Sequence, residues 1–143
     1  MTLHFADDNQ IEHLAAAVQD RSLPKAQWTH AAHFAAVLWL LRHHPERSLE
    51  IEMPGIIRRY NEATGVANTD DGGYHETITQ ASIMAARAFL NRHPGTTPLH
   101  EILDRLMASP LGRSDWVLSH WTKARLFSVE ARHAWLAPDI QGL

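Results

Sequence analysis

Five side chains in this sequence have the types and spacings from which a polar site can be built. They are His30 and His33 in the string W-T-H-A-A-H, Glu62 in Y-N-E-A-T-G-V, and His75 and Glu76 in G-Y-H-E-T-I-T. Residues three apart share one face of a helix, so His30 and His33 present two imidazoles side by side. His75 supplies a third. Three nitrogen donors with one carboxylate suit zinc, and an open coordination position also admits iron or manganese. The expectation is therefore a divalent-metal site with His30, His33 and His75 as ligands. Glu76 or Glu62 would complete the shell or act as general base. Tyr60, Asn61 and Thr79 are candidate ligand-binding neighbours. Arg125, set between Ala124 and Leu126-Phe127, is a candidate anion clamp because its planar fork suits carboxylates and phosphates.

Stricter motifs are missing. His75-Glu76-Thr77-Ile78-Thr79 begins like the zincin H-E-x-x-H, but Thr79 stands in place of the second histidine. His100-Glu101-Ile102-Leu103-Asp104 has the same shortfall and reads as a solvated first turn. Glu130-x-x-His133 is a single pair, where a di-iron bundle needs two. No His-Asp dipeptide occurs. Two other readings stay open: a metal-free polar pocket that binds or regulates, and histidines that only cap helix ends in a structural, dimeric bundle. A phosphotransfer histidine would need an exposed ring, and His30 and His33 lie on an apolar helix.

The elements that must position these groups are helical throughout. Apolar residues recur at helical spacing, and no segment alternates like a strand. Helix one is expected from Asp8 to Arg21, with Asp7 or Asp8 as cap. Helix two runs from the Thr29 cap to His43 and is apolar nearly all round, which marks it as central. Helix three runs from Ser48 to Ala63, with Pro54 expected to kink or restart it. After the polar loop GVANTDDGG, helix four runs from Tyr74 to about Asn91. Helix five runs from Thr97-Pro98 to Met107, helix six from Ser114 to about Thr122, and a last short helix starts at Ser128 and ends before Pro138. Trp28, Trp39, Trp116, Trp121 and Trp135 read as core residues. Short connections make this an all-α, up-down bundle of six to seven helices. Helices two and four then run parallel, and the end of helix three arrives where they begin. His30, His33, His75 and Glu76 thus meet over an apolar floor formed by Phe34, Val37 and Ile83.

Composition narrows the partners. The 143 residues fit one domain, 1–143. The net charge of −3, with no Lys/Arg run, argues against nucleic acid. With no cysteine there are no disulfides, thiolate metal sites or thiol nucleophiles. The N-terminus lacks a leader pattern, and the longest apolar run, Ala31 to Leu41, is interrupted by His33 and too short for a bilayer. The expectation is a cytoplasmic chain acting on a small molecule, compatible with a homodimer, and without membrane or nucleic-acid partners.

The strings W-T-H-A-A-H, Y-N-E-A-T-G-V, G-Y-H-E-T-I-T and L-F-S-V-E-A-R (Leu126 to Arg132) resemble those of an uncharacterised bacterial all-helical family of about this length. That resemblance implies a fold and points to the same residues, but carries no reaction. At fold level the arrangement is also similar to DinB/YfiT-like bundles, which implies a metal held by three histidines.

Overall fold

The computed structural model describes residues 4–143; Met1 to Leu3, the start of the segment read above as leaderless, lie outside the described residues. Seven α-helices and three short 3₁₀ turns make up the described residues, and there is no strand among them. The helices are α1 (Asp8–Gln19), α2 (His30–His43), α3 (Leu49–Ala63), α4 (Glu76–Leu90), α5 (Leu99–Ala108), α6 (Lys123–Leu126) and α7 (Val129–His133). No helix among the described residues is long and apolar enough to cross a membrane.

Helix α2 is the centre of the bundle because little of its surface is polar. Ala31, Ala32, Phe34, Ala35, Ala36, Val37, Leu38 and Leu40 are all buried, against α1, α4 and α5. The Thr29 hydroxyl caps it by accepting from the Ala32 N–H. Helix α3 packs on α1 and α4, with Leu49, Met53, Ile56 and Tyr60 inward. One cluster of buried apolar side chains draws on every helix from α1 to α6.

Several local expectations are corrected, each for a physical reason. Helix α1 stops at Gln19, and Arg21 turns the chain with a left-handed φ of 67°. Pro54 does not restart α3, which is continuous through it. A proline withholds the N–H that the carbonyl four residues earlier would accept. That carbonyl, on Glu50, instead accepts from the Gln80 side-chain amide of α4 at 2.9 Å, so the defect becomes a tie between helices. Thr97 does not cap α5. Asp8, at the start of α1, reaches across and accepts from the Leu99 and His100 N–H groups at 3.0 and 2.9 Å. The predicted helix over Ser114 to Thr122 is a 3₁₀ turn, Trp116–Ser119, after which Thr122 caps the separate helix α6.

The start of α4 differs in the way that matters most for the site. Tyr74 is not helical, and His75 is the N-cap in extended conformation (φ −131°, ψ 111°). Its predecessor Gly73 has φ 77°, and a Cβ there would lie 2.4 Å from the Ala67 carbonyl oxygen. Only glycine lets the loop deliver Tyr74 and His75 to this place. One residue into the helix, the fully buried Thr77 hydroxyl sits 2.7 Å from the Ala131 carbonyl and 2.9 Å from that of Ala134, fastening α7 to α4.

Candidate functional site

The first turns of α2 and α4 do lie at one end of the bundle, and a cavity of about 320 Å³ opens between them. Its polar rim is His30, His33, Thr79, Ser82 and Ser114; its floor is Phe34, Val37, Met53, Ile57, Ile78, Trp116 and Val117. A second cavity of about 420 Å³ shares His33, Ile57, Ile78 and Thr79 with the first and extends over Trp28, Asn61, Val66, Tyr74 and His75. His33 and Thr79 are the polar side chains common to both.

A carbonyl can only accept, so the backbone fixes which nitrogen of each ring carries hydrogen. His33 donates from Nδ1 to the Thr29 carbonyl at 2.6 Å. Its Nε2 has no partner among the described residues, and no fully buried polar atom there lacks one, so Nε2 is open to the cavities. Burial holds this half-buried imidazole below the usual histidine range; nearby His30 acts in the same direction, and the Thr29 carbonyl opposes both. His33 is therefore a neutral ring with its lone pair outward. Trp28 covers it, with ring centroids 3.8 Å apart and planes tilted by 31°. Trp28 and His33 occupy the N′ and N4 positions of α2, the staple positions at which a helix start packs on its own entry. His30 donates from Nε2 to the Leu111 carbonyl at 2.8 Å, which leaves Nδ1 as its second contact.

His75 is built differently. Its Nδ1 accepts from the Ile78 N–H at 3.2 Å as the helix cap, and its Nε2 donates to the Leu126 carbonyl at 2.7 Å. Both ring nitrogens are held by backbone. Burial lowers its pKa first, the Arg132 charge adds to this, and the Leu126 carbonyl opposes. The carboxylates are likewise occupied or remote. Glu76 accepts from the Tyr74 hydroxyl at 2.5 Å and lies 3.4 Å from the Gln80 amide; burial, followed by this carboxylate, raises the Tyr74 pKa strongly. Glu62 is exposed and borders neither cavity. No group of three or more His, Cys, Asp or Glu placed to hold a metal occurs among the described residues.

The remaining predicted residues divide in the same way. Asn61 and Thr79 border the second cavity, while the buried Tyr60 donates to the Leu23 carbonyl at 2.8 Å and supports Trp28 from behind at 5.5 Å. Arg125 borders neither cavity; its Nε donates to the Ala137 carbonyl at 2.7 Å, tying α6 to the C-terminal segment. Trp116 and Trp121 are buried as expected of core residues, Trp116 also flooring the first cavity; Trp28 lines the second, and Trp135, read as core, is exposed. Ser82 and Ser114 went unnoticed in the sequence, since lone serines carry no spacing signal. Ser82 donates to the Ile78 carbonyl at 2.7 Å and so offers the cavity only lone pairs. No protein-family model, no curated protein and no solved structure matches this chain.

Proposed function

We propose that this chain binds a small, neutral, largely apolar molecule bearing a hydrogen-bond donor, using His33 and His30 and no metal ion. The observation that carries this reading is the open Nε2 lone pair of a neutral His33 at the junction of two apolar cavities. A lone pair on a neutral ring receives a hydroxyl or N–H group. Among the described residues lining the two cavities there is no Lys, Arg, Asp or Glu. A charged ligand would lose its hydration there and gain no counter-ion. The size falls within the range of small-molecule sites, and the composition, an apolar floor with a few placed polar groups, matches them as well. A metal on three histidines would first have to displace both backbone bonds of His75, and with them the cap of α4. A two-imidazole shell from His30 and His33 would lack a third protein donor.

Calorimetric titration with phenol, toluene and benzoate in the presence of a chelator tests the reading. Phenol is expected to bind about fivefold more tightly than toluene, because one net hydrogen bond contributes about 1 kcal/mol. Benzoate is expected to bind least. His33→Phe should erase the preference for phenol over toluene. Equal binding of toluene and phenol to the wild type, or binding that requires added zinc, would refute it.

A further inference from the structure

His33 carries more than a ligand contact needs. A hydrogen-bond acceptor could be a serine, an amide or a backbone carbonyl. Here the acceptor is an imidazole, a group that is neutral near pH 7 yet still able to take up a proton, set in one tautomer by the Thr29 carbonyl, stacked under Trp28, and facing cavities shared on both sides. Fixing Nδ1–H against a backbone carbonyl directs all basicity to Nε2 and orients the ring, which is the arrangement a general base requires. The ring sits in the first turn of the 14-residue helix α2, whose positive end disfavours a resident imidazolium but favours an anion formed in front of it.

We propose that His33 is a general base that takes a proton, through Nε2, from a neutral weak acid seated across the two cavities. This rests on the binding reading above and adds a reaction to it. The bond broken is the substrate X–H bond, and the bond formed is Nε2–H. The electron pair stays on the substrate, where it drives elimination or isomerisation. The imidazolium produced keeps its Nδ1–H on the Thr29 carbonyl, where the bond strengthens because the donor is now charged. It then stands as a cation beside the new anion. Burial keeps His33 unprotonated into mildly acidic solution, so the base is ready without a partner carboxylate.

Nitrobenzisoxazole is a suitable probe because it is neutral, aromatic and opened by any placed base. The base removes the ring C–H proton, that electron pair forms the nitrile, and the N–O bond breaks to release a coloured cyanonitrophenolate. The wild type should open it with saturation kinetics, with a pH–rate inflection below the ordinary histidine value of about 6.5. His33→Gln should lower the rate about 100-fold, within the range that general bases contribute. His13→Gln, which removes an exposed imidazole outside both cavities, should retain the wild-type rate. Far-UV circular dichroism of His33→Gln distinguishes lost chemistry from lost fold, and His33→Phe offers a second variant if the first is unstable. No turnover by the folded wild type, or turnover unchanged in either folded His33 variant, overturns the proposal. Calorimetric titration with phenol separates the two claims: phenol binding without turnover of the probe removes the base and leaves the pocket, while absence of both removes both.

Discussion

Replacing His75 with alanine is the sharpest test of how the site is assembled. Two hydrogen bonds disappear in that variant: the cap from the Ile78 N–H to Nδ1, and the bond from Nε2 to the Leu126 carbonyl. Loss of a helix cap costs about 1 kcal/mol. The second bond contributes about 1 kcal/mol, and somewhat more where the carbonyl is left buried without a partner, as on the fully buried Leu126. The expected loss is about 2–3 kcal/mol, or roughly 6–10 °C in Tm for a chain of this size. His75→Asn should recover about half, because asparagine caps helices well but is too short to reach Leu126. Urea unfolding followed by circular dichroism measures both variants, with an unchanged m-value showing that only stability has moved. The pH dependence has a definite sign. The folded pKa of His75 lies below its unfolded value, so its contribution is fully present above about pH 6.5 and is lost as pH falls through the lowered folded value. Protonation turns Nδ1 into a donor facing the Ile78 N–H, which ends the cap. A His75→Ala protein within about 0.5 kcal/mol of wild type, the range of neutral surface changes, would refute this reasoning and return His75 to the pool of available ligands.

Two further outcomes follow from ties between distant segments. Asp8→Ala should cost about 1–2 kcal/mol, since it removes the acceptor for two N–H groups of α5. Burial alone would raise the Asp8 pKa, but the bonds from the His100 N–H, the His100 ring and the Leu99 N–H outweigh it and hold the carboxyl below its usual range. The Asp8 contribution is therefore fully present above about pH 4 and lost as pH falls through the lowered value, so acid unfolding of wild type and Asp8→Ala should converge at low pH. Gln80→Leu should cost about 1 kcal/mol, because it strands the Glu50 carbonyl that Pro54 leaves without its helical partner; in a Pro54→Ala background the same change should cost less, as a double-mutant cycle would show.

What the sequence made legible was periodic and local. Thr29 before an apolar run marked the start of α2 to the residue, and a rotation of 100° per residue grouped His30, His33, Phe34 and Val37, which do line one cavity. The all-helical fold followed from the same signal. What stayed hidden depends on partners remote in the chain. Nothing local to Thr97-Pro98 announces that Asp8 caps α5 from 91 residues away. Pro54 reads as a break until Gln80 is known to face Glu50. Histidine is an uncommon cap, so the pattern alone reads His75 as part of helix four, and its second bond, to Leu126, spans 51 residues. The sequence can count imidazoles, but it cannot say which ring nitrogens the backbone has already taken. Trp28 does leave a trace in the sequence, the staple spacing with His33 across the α2 start, although a tryptophan beside an apolar helix reads first as core.

Ligand binding and base chemistry both depend on the state of the His33 ring, and nitrogen-detected NMR of the histidine side chains reads that state directly. At neutral pH His33 should show a protonated Nδ1 and a bare Nε2, the Nε2 signal should shift on adding phenol and hold still on adding benzoate, and a chelator should change neither response. A His33 ring that is protonated on Nε2, or whose Nε2 ignores phenol while a divalent metal moves it, would contradict the account.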